Sequence, residues 1–198
     1  MPTALAVLAA YLLGSVSFAM VSAKLFSLAD PRSYGSGNPG ATNVLRSGNK
    51  KAALFTLLGD ALKGWAAVFI AQQAGLSDAA IGLVTLAVFF GHLFPVFLRF
   101  KGGKGVATAA GVLFALDPLL GLAVAGTWLL TAYAFRYSSL AAILAALLAP
   151  VYSLLMHGAS SQGIVIGILA MALIIKHWPN LQRLLAGQEG KIGSKKKT

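Results

Sequence analysis

Cysteine is absent and acid is scarce: the 198-residue sequence holds five Asp/Glu against 16 Lys/Arg. Without a thiol there is no disulfide, no thiolate metal site and no cysteine nucleophile. The carboxylates, Asp30, Asp60, Asp78, Asp117 and Glu189, are scattered. They supply no cluster for a divalent metal, and no metal or other cofactor is expected. Charged residues make up 11% of the chain and hydrophobic ones 58%, where soluble domains carry about a quarter charged and about half apolar. So little charge cannot cover a soluble surface. In lipid such residues go into spanning helices, which pair their own backbone groups.

Apolar runs lie at residues 3–24, 52–74, 80–98, 106–116, 118–135, 139–157 and 162–176. A span takes about 20 apolar residues, with about 17 the usual minimum. The runs 106–116 and 162–176 fall below it, so seven crossings are expected, with five as the alternative. Orientation follows from the cations. With the N-terminus outside and seven crossings, Arg32, Arg46, Lys50, Lys51, Arg99, Lys101, Lys104, Arg136, Lys176, Arg183, Lys191 and Lys195 to Lys197 all fall inside. The outer turns around Asp78, Asp117 and His157 to Gln162 hold no Lys or Arg, as the positive-inside rule requires. Val21-Ser22-Ala23 resembles a cleavage site, but no cation precedes the first run, which is expected to stay as a helix.

The expected fold is therefore all-α: a polytopic integral membrane helix bundle, N-terminus outside, C-terminus cytoplasmic. Residues 1–198 form one membrane-embedded domain with a short basic tail at 188–198, its lysines near anionic headgroups. The net charge of +11 sits in short loops rather than on a basic reading face. This favours lipid and small anions as partners over nucleic acid. Nothing indicates more than a monomeric or loosely associated chain.

Three inner segments carry polar chemistry. The first runs Tyr34-Gly35-Ser36-Gly37-Asn38-Pro39-Gly40-Ala41-Thr42-Asn43-Val44-Leu45-Arg46. Its glycines permit close backbone approach, so amides can converge on an anion. Ser36, Asn38, Thr42 and Asn43 add neutral donors, and Arg46 a planar fork suited to phosphate. The second runs Gly91-His92-Leu93-Phe94-Pro95 into Phe100-Lys101-Gly102-Gly103-Lys104-Gly105. Lys104 and the amides opening the short run 106–116 can hold a phosphate. It is not a P-loop, because Gly105 follows Lys104 where Ser or Thr is needed. A helix drawn down to an anion at membrane depth would explain the shortness of that run. The third is Lys176-His177-Trp178-Pro179-Asn180-Leu181-Gln182-Arg183. His177 can accept a proton or donate to phosphate; a Lys, His and Trp cluster also anchors helix ends at the interface.

Inside the membrane, Asp60 and Lys63 share one face of the second run and are expected to form a structural ion pair. His92 reads equally as a core histidine or a site member. His157 falls on the outer side, away from the chemistry.

Together the three segments resemble the bacterial membrane acyltransferases that use acyl phosphate to acylate glycerol 3-phosphate. Ser36-Gly37-Asn38-Pro39-Gly40-Ala41-Thr42-Asn43, the Gly91 to Gly105 segment and the His177 segment are similar to that family's three cytoplasmic motifs, in the same order. Asp60-Ala61-Leu62-Lys63-Gly64 resembles a further feature of it. The resemblance implies transfer of a fatty acyl group from acyl phosphate to the sn-1 hydroxyl of glycerol 3-phosphate. The products would be 1-acylglycerol 3-phosphate (lysophosphatidic acid) and inorganic phosphate, formed in phospholipid biosynthesis. It implies catalytic roles for Ser36, Asn38, Thr42, Lys104 and His177. Gly37, Gly40, Asn43, Arg46, Gly102, Gly103 and Asn180 would bind substrate. It also implies a bacterial cytoplasmic (inner) membrane location, with the active site on the cytoplasmic face. Acyl phosphate is already activated, so neither a covalent enzyme intermediate nor a metal is required. The proton acceptor is His177 or a substrate phosphate oxygen.

The competing class is a membrane transporter of a phosphorylated metabolite, which needs a site reachable from both sides; the outer turns offer none. Phosphatidyl-group transferases need the acidic cluster that is missing. Acyltransferases with Asp five residues after His are excluded, because Phe97, Gln162 and Gln182 stand at those offsets.

Overall fold

Lipid offers an unpaired amide no partner, so apolar runs separated by single turns must fold as helices. The computed structural model describes residues 2–193, and every regular element among them is helical. The chain divides into two compact units, with the boundary between Asp117 and Pro118.

The first unit contains α1 (Thr3–Ser15), α2 (Phe18–Leu25), α3 (Ala41–Leu45), α4 (Lys50–Gln73), α5 (Asp78–Leu93) and α6 (Val106–Leu116). A single 3-10 turn at Val96–Leu98 follows α5. The first apolar run, expected as one helix, is instead two, α1 and α2, bent by 43°. No proline marks the break. The Lys63 ammonium donates to the Val16 carbonyl there at 2.6 Å, pairing a backbone group that the missing helical turn leaves over.

α4 is built inside out. Its buried face is small and polar: Ala52, Thr56, Gly59, Asp60, Lys63 and Gly64. Leu54, Leu57, Leu58, Leu62 and Phe69 stand exposed on its other side. Water would reject that arrangement and lipid accepts it, since helices in a bilayer associate through small residues that let backbones approach. α4 packs on α6, and α1 on α5. A Cβ on Gly64 would collide with the Thr108 carbonyl, and one on Gly111 with that of Ala61. Both glycines are needed for α4 and α6 to lie as close as they do.

The second unit contains α7 (Pro118–Phe135), α8 (Ser138–His157), α9 (Ser161–Lys176) and α10 (Trp178–Leu185). α8 packs on α7 and α9, and α10 on α8 and α9. α9 and α10 are bent by 56° relative to each other. Helix starts capped by a short polar side chain include those of α4 and α9. Asn49 accepts from the Ala52 amide at 3.0 Å, and Ser160 from that of Gly163 at 3.1 Å, removing an orphan donor in each case.

Among the described residues four helices are long and apolar enough to cross a membrane, or six when each bent pair is one span. The four correspond to the runs expected at 52–74, 80–98, 118–135 and 139–157. α6 has 11 residues, about 17 Å of helix against a hydrocarbon core of about 30 Å. The protein is a multi-pass, all-helical membrane protein.

The basic tail expected from residue 188 is not loose at its start. Ile192 donates to the Arg136 carbonyl at 2.6 Å, and the Arg136 guanidinium returns a bond to the Ile192 carbonyl at 3.1 Å. Lys191 lies over the Tyr137 ring at 5.7 Å. Arg136, expected only to hold orientation, thus fastens the chain end to the α7–α8 turn. Lys195 to Lys197 lie outside the described residues.

Candidate active site

The first polar segment links α2 to α4. Val44 is fully buried in a cluster with Ala19, Ala52 and Ala53, which seats α3 against α2 and α4. The loop before α3 is closed by one side chain. The Asn43 amide donates to the Pro31 carbonyl at 2.6 Å and the Tyr34 carbonyl at 3.2 Å, and its oxygen accepts from the Ser36 amide at 2.9 Å. Gly35 sits at φ +62, and a Cβ there would collide with the Asn43 side-chain oxygen. Only glycine fits the turn. The Gly37 amide bonds the Tyr34 carbonyl and the Gly40 amide that of Asn38, both at 2.9 Å.

This differs from the expected cradle of convergent amides. The amides of Ser36, Gly37 and Gly40 are engaged inside the loop, as is the buried Asn43 side chain. Ser36, Thr42 and Arg46 are exposed and Asn38 is half-buried, so their side chains stand at the loop's surface. Upstream, Asp30 and Arg32 form an exposed ion pair of 2.6 Å. The Arg32 hydrogen bond holds the Asp30 carboxyl below its usual range.

The second segment folds around the end of α5. Arg99 and Phe100 take φ of +51 and +61, two successive left-handed non-glycine residues, a strained turn of the kind found at functional sites. It is tied by the Phe100 amide to the Pro95 carbonyl at 2.9 Å. Gly102 and Gly103 then lie directly on His92. A Cβ at Gly102 would collide with the His92 carbonyl, and one at Gly103 with the His92 imidazole. The Gly103 amide donates to the His92 carbonyl at 3.2 Å. Lys104 follows, half-buried, ahead of Gly105 at the start of α6.

The third segment belongs to the second unit. His177 stands at the α9–α10 bend, 3% exposed. Its Nδ1 is 2.9 Å from the Leu173 carbonyl. A carbonyl can only accept, so Nδ1 carries the proton, and in the neutral ring Nε2 holds the lone pair. Asn180 donates to Glu189 Oε1 at 2.6 Å, Ser139 to the same oxygen at 2.7 Å, and Arg183 to Oε2 at 2.8 Å. Burial pushes the Glu189 carboxyl up, but the bonds from Asn180, Ser139 and Arg183 outweigh it and hold the group below its usual range.

Residues 4–187 match the family model described as glycerol-3-phosphate acyltransferase. The chain belongs to this family. It is 78% identical over 197 residues, the whole of both chains, to a Dechloromonas aromatica protein named glycerol-3-phosphate acyltransferase. A protein of the same name from Burkholderia ambifaria is 60% identical, with 98% of this chain and 92% of that one covered. Among solved structures it is similar to PlsY (YgiH), an integral membrane glycerol 3-phosphate acyltransferase, in its glycerol 3-phosphate form. The TM-score is 0.92 at 39% identity, covering 98% of this chain and 96% of that one. The lysophosphatidic acid form gives a TM-score of 0.90 at 38% identity over the same shares.

Within this acyltransferase-family chain, Ser36, Gly37, Asn38, Gly40, Thr42, Asn43 and Arg46 share one segment, the loop before α3 with α3 and its C-terminal end, and Gly102, Gly103 and Lys104 another turn of the same unit. His177 and Asn180 share the α9–α10 bend of the second unit. Two further residues support these segments. Glu189, read as part of a basic tail, ties Asn180 and Arg183 to α8. His92 forms the floor of the Gly102-Gly103 turn. The signal for Glu189 was its being the one acid among the cations that follow α9; that for His92 was its glycine neighbour on a tightly packed helix end.

Proposed function

We propose that this protein transfers a fatty acyl group from acyl phosphate to the sn-1 hydroxyl of glycerol 3-phosphate, giving 1-acylglycerol 3-phosphate and inorganic phosphate. The observation that carries this reading is the likeness over nearly the whole chain to an integral membrane glycerol 3-phosphate acyltransferase described with substrate and product forms. The donor assignment is supported by chemistry: two phosphate-bearing substrates ask for two sets of cations and donors. Arg46 with Ser36 and Thr42 is one set, and Lys104 in its glycine turn is another.

In the reaction, the sn-1 oxygen attacks the carbonyl carbon of acyl phosphate. A carbon–oxygen bond forms, the bond to the phosphate oxygen breaks, and phosphate leaves with the electron pair. Ser36, Asn38 and Thr42 donate to the acyl-phosphate head and to the oxyanion that develops at the carbonyl. Arg46 and Lys104 neutralise phosphate charge. Nδ1–H donation to Leu173 leaves Nε2 of His177 as the basic atom, suited to take the hydroxyl proton; a phosphate oxygen is the other acceptor. Asn180 positions the acceptor. Asn43 acts by holding the loop in shape, and Gly37, Gly40, Gly102 and Gly103 by letting backbone and substrate approach.

The active site lies on the cytoplasmic face of the bacterial inner membrane. The chain crosses seven times from an outside N-terminus, with the bent pairs counted as single spans and α6 as the short seventh. Residues 1–198 act as one membrane-embedded enzyme.

Purified protein incubated with glycerol 3-phosphate and acyl phosphate, acyl-CoA or acyl carrier protein tests the donor. Product is expected with acyl phosphate; product only with a thioester overturns it. Because the chain has no native cysteine, single cysteines at Gly158 and Ser47 report topology with an impermeant thiol reagent. Labelling of intact cells is expected at 158 and not at 47.

A further inference from the structure

One buried cluster of the first unit takes no part in the substrate contacts proposed above. Asp60 and Lys63 of α4 pair at 2.7 Å, with side chains 3% and 1% exposed. Lys63 also reaches the Val16 carbonyl at the α1–α2 break. The same carboxylate oxygen, Asp60 Oδ1, stands 3.5 Å from Nδ1 of His92, at the end of α5. The same ring nitrogen is 3.2 Å from the Thr108 hydroxyl in the first turn of α6. The cluster therefore ties together the α1–α2 break, α4, α5 and α6.

A desolvated ion pair is weak evidence for stability, because apolar packing of equal volume usually does as well. At membrane depth such groups are costly and mark function. What this cluster fixes is the setting of one ring. The Thr108 hydroxyl bonds Nδ1 and the Asp60 carboxylate faces it at 3.5 Å, while the opposite edge, with Nε2, lies against Gly103. Gly102 rests on the carbonyl of the same residue. Lys104 is the next residue along, with no side chain between it and that floor.

We propose that His92, oriented by Asp60 and Thr108, is a positioning residue that sets where Lys104 meets substrate phosphate. This rests on the phosphate-holding role of Lys104 proposed above. The Asp60–Lys63 pair, read from the sequence as a helix-orienting bridge, then reaches the substrate through the imidazole.

The test is a double-mutant cycle in purified protein, with KM and kcat measured for acyl phosphate and for glycerol 3-phosphate separately. His92→Asn keeps an amide nitrogen near the place of Nδ1 but removes the ring edge under Gly103. Its expected effect is a rise of about tenfold in the KM that Lys104→Ala also raises, with kcat changed by less than about threefold and the thermal midpoint unchanged. In a Lys104→Ala background the same substitution should add nothing, as coupled residues do not add. Additive effects, or parallel losses in KM, kcat and thermal midpoint, overturn the positioning role. Gly103→Ala approaches from the other side, lifting the turn off the ring while leaving Asp60 and Lys63 paired. It should raise the same KM, and a wild-type KM there overturns the proposal even if His92→Asn fails to fold. If Lys104→Ala leaves both KM values unchanged, its phosphate role and this inference fall together, while conversion of the substrates stands or falls on the donor experiment.

Discussion

The loop before α3 and the segment after α10 solve one problem with different atoms. Each is a polar stretch at a helix end, and in each one side chain makes three bonds. In the first the fastener is neutral: Asn43 donates twice and accepts once, all with backbone groups. In the second it is ionised: Glu189 only accepts, and all three donors are side chains, from Ser139, Asn180 and Arg183. The backbone needs donors and acceptors together, which an amide supplies and a carboxylate cannot. Bringing α8 and α10 together through Ser, Asn and Arg needs an acceptor only. The Asn43 fastening should therefore be indifferent to pH, and the Glu189 fastening should depend on the charge of that one group.

Asn43→Asp gives the largest expected effect. It keeps the volume but removes both donors, turning a carboxylate oxygen toward the Pro31 and Tyr34 carbonyls. A loss of about 3 kcal/mol or more is expected, with kcat/KM down at least about 100-fold. Thermal unfolding in detergent and steady-state turnover check it. Near-wild-type activity would mean that the loop is shaped by something other than this amide.

Arg46→Lys comes next and separates fastening from substrate binding within the same loop. The Arg46 stem lies near Gly35, and the residue as a whole is exposed. Lysine retains the charge and loses the planar fork. The KM for one of the two phosphate substrates, glycerol 3-phosphate first, should rise about tenfold, with kcat and thermal midpoint little changed. An effect confined to kcat would move Arg46 from ground-state binding to the transition state.

These contrasts also explain what could be read from the residues alone. Apart from the first, the apolar runs became single helices with ends shifted by only a few residues, because a continuous apolar run in hydrocarbon pairs its backbone within itself as a helix. The α1–α2 break was hidden, since the group that satisfies it, Lys63, lies 47 residues from Val16. Asn43 looked like a substrate donor because a buried asparagine and an exposed one are the same letter. Only the carbonyls of Pro31 and Tyr34, brought in by the fold, distinguish them. Glu189 was lost among lysines for the same reason. Its three partners come from α8 and α10, and spacing along the chain does not announce such meetings. The cation-bearing glycine turns were legible because their composition is unusual wherever they fold.

Glu189→Gln should cost less than the Asn43 change, about 1–2 kcal/mol, because the amide oxygen still accepts while the charge on the Arg183 bond is gone. Asn180 and Ser139 would keep a neutral acceptor while Arg183 would face a donor, so turnover should fall with the thermal midpoint, and in proportion to it.

The smallest effect is the pH dependence, and it tests the comparison most directly. The Glu189 carboxyl is held below its ordinary range in the folded protein, so the unfolded chain binds more protons than the folded one in that window. Its contribution to stability is complete above the ordinary glutamate range and is lost as pH falls through the lowered folded value. The gap in thermal midpoint between wild type and Glu189→Gln should therefore be widest near neutrality and narrow steadily in acid. The gap between wild type and Asn43→Ala should stay constant over the same range, since no proton is gained or lost at an amide. A constant gap for both variants would mean that Glu189 fastens its segment by shape alone, and that the charged and neutral fasteners are physically alike.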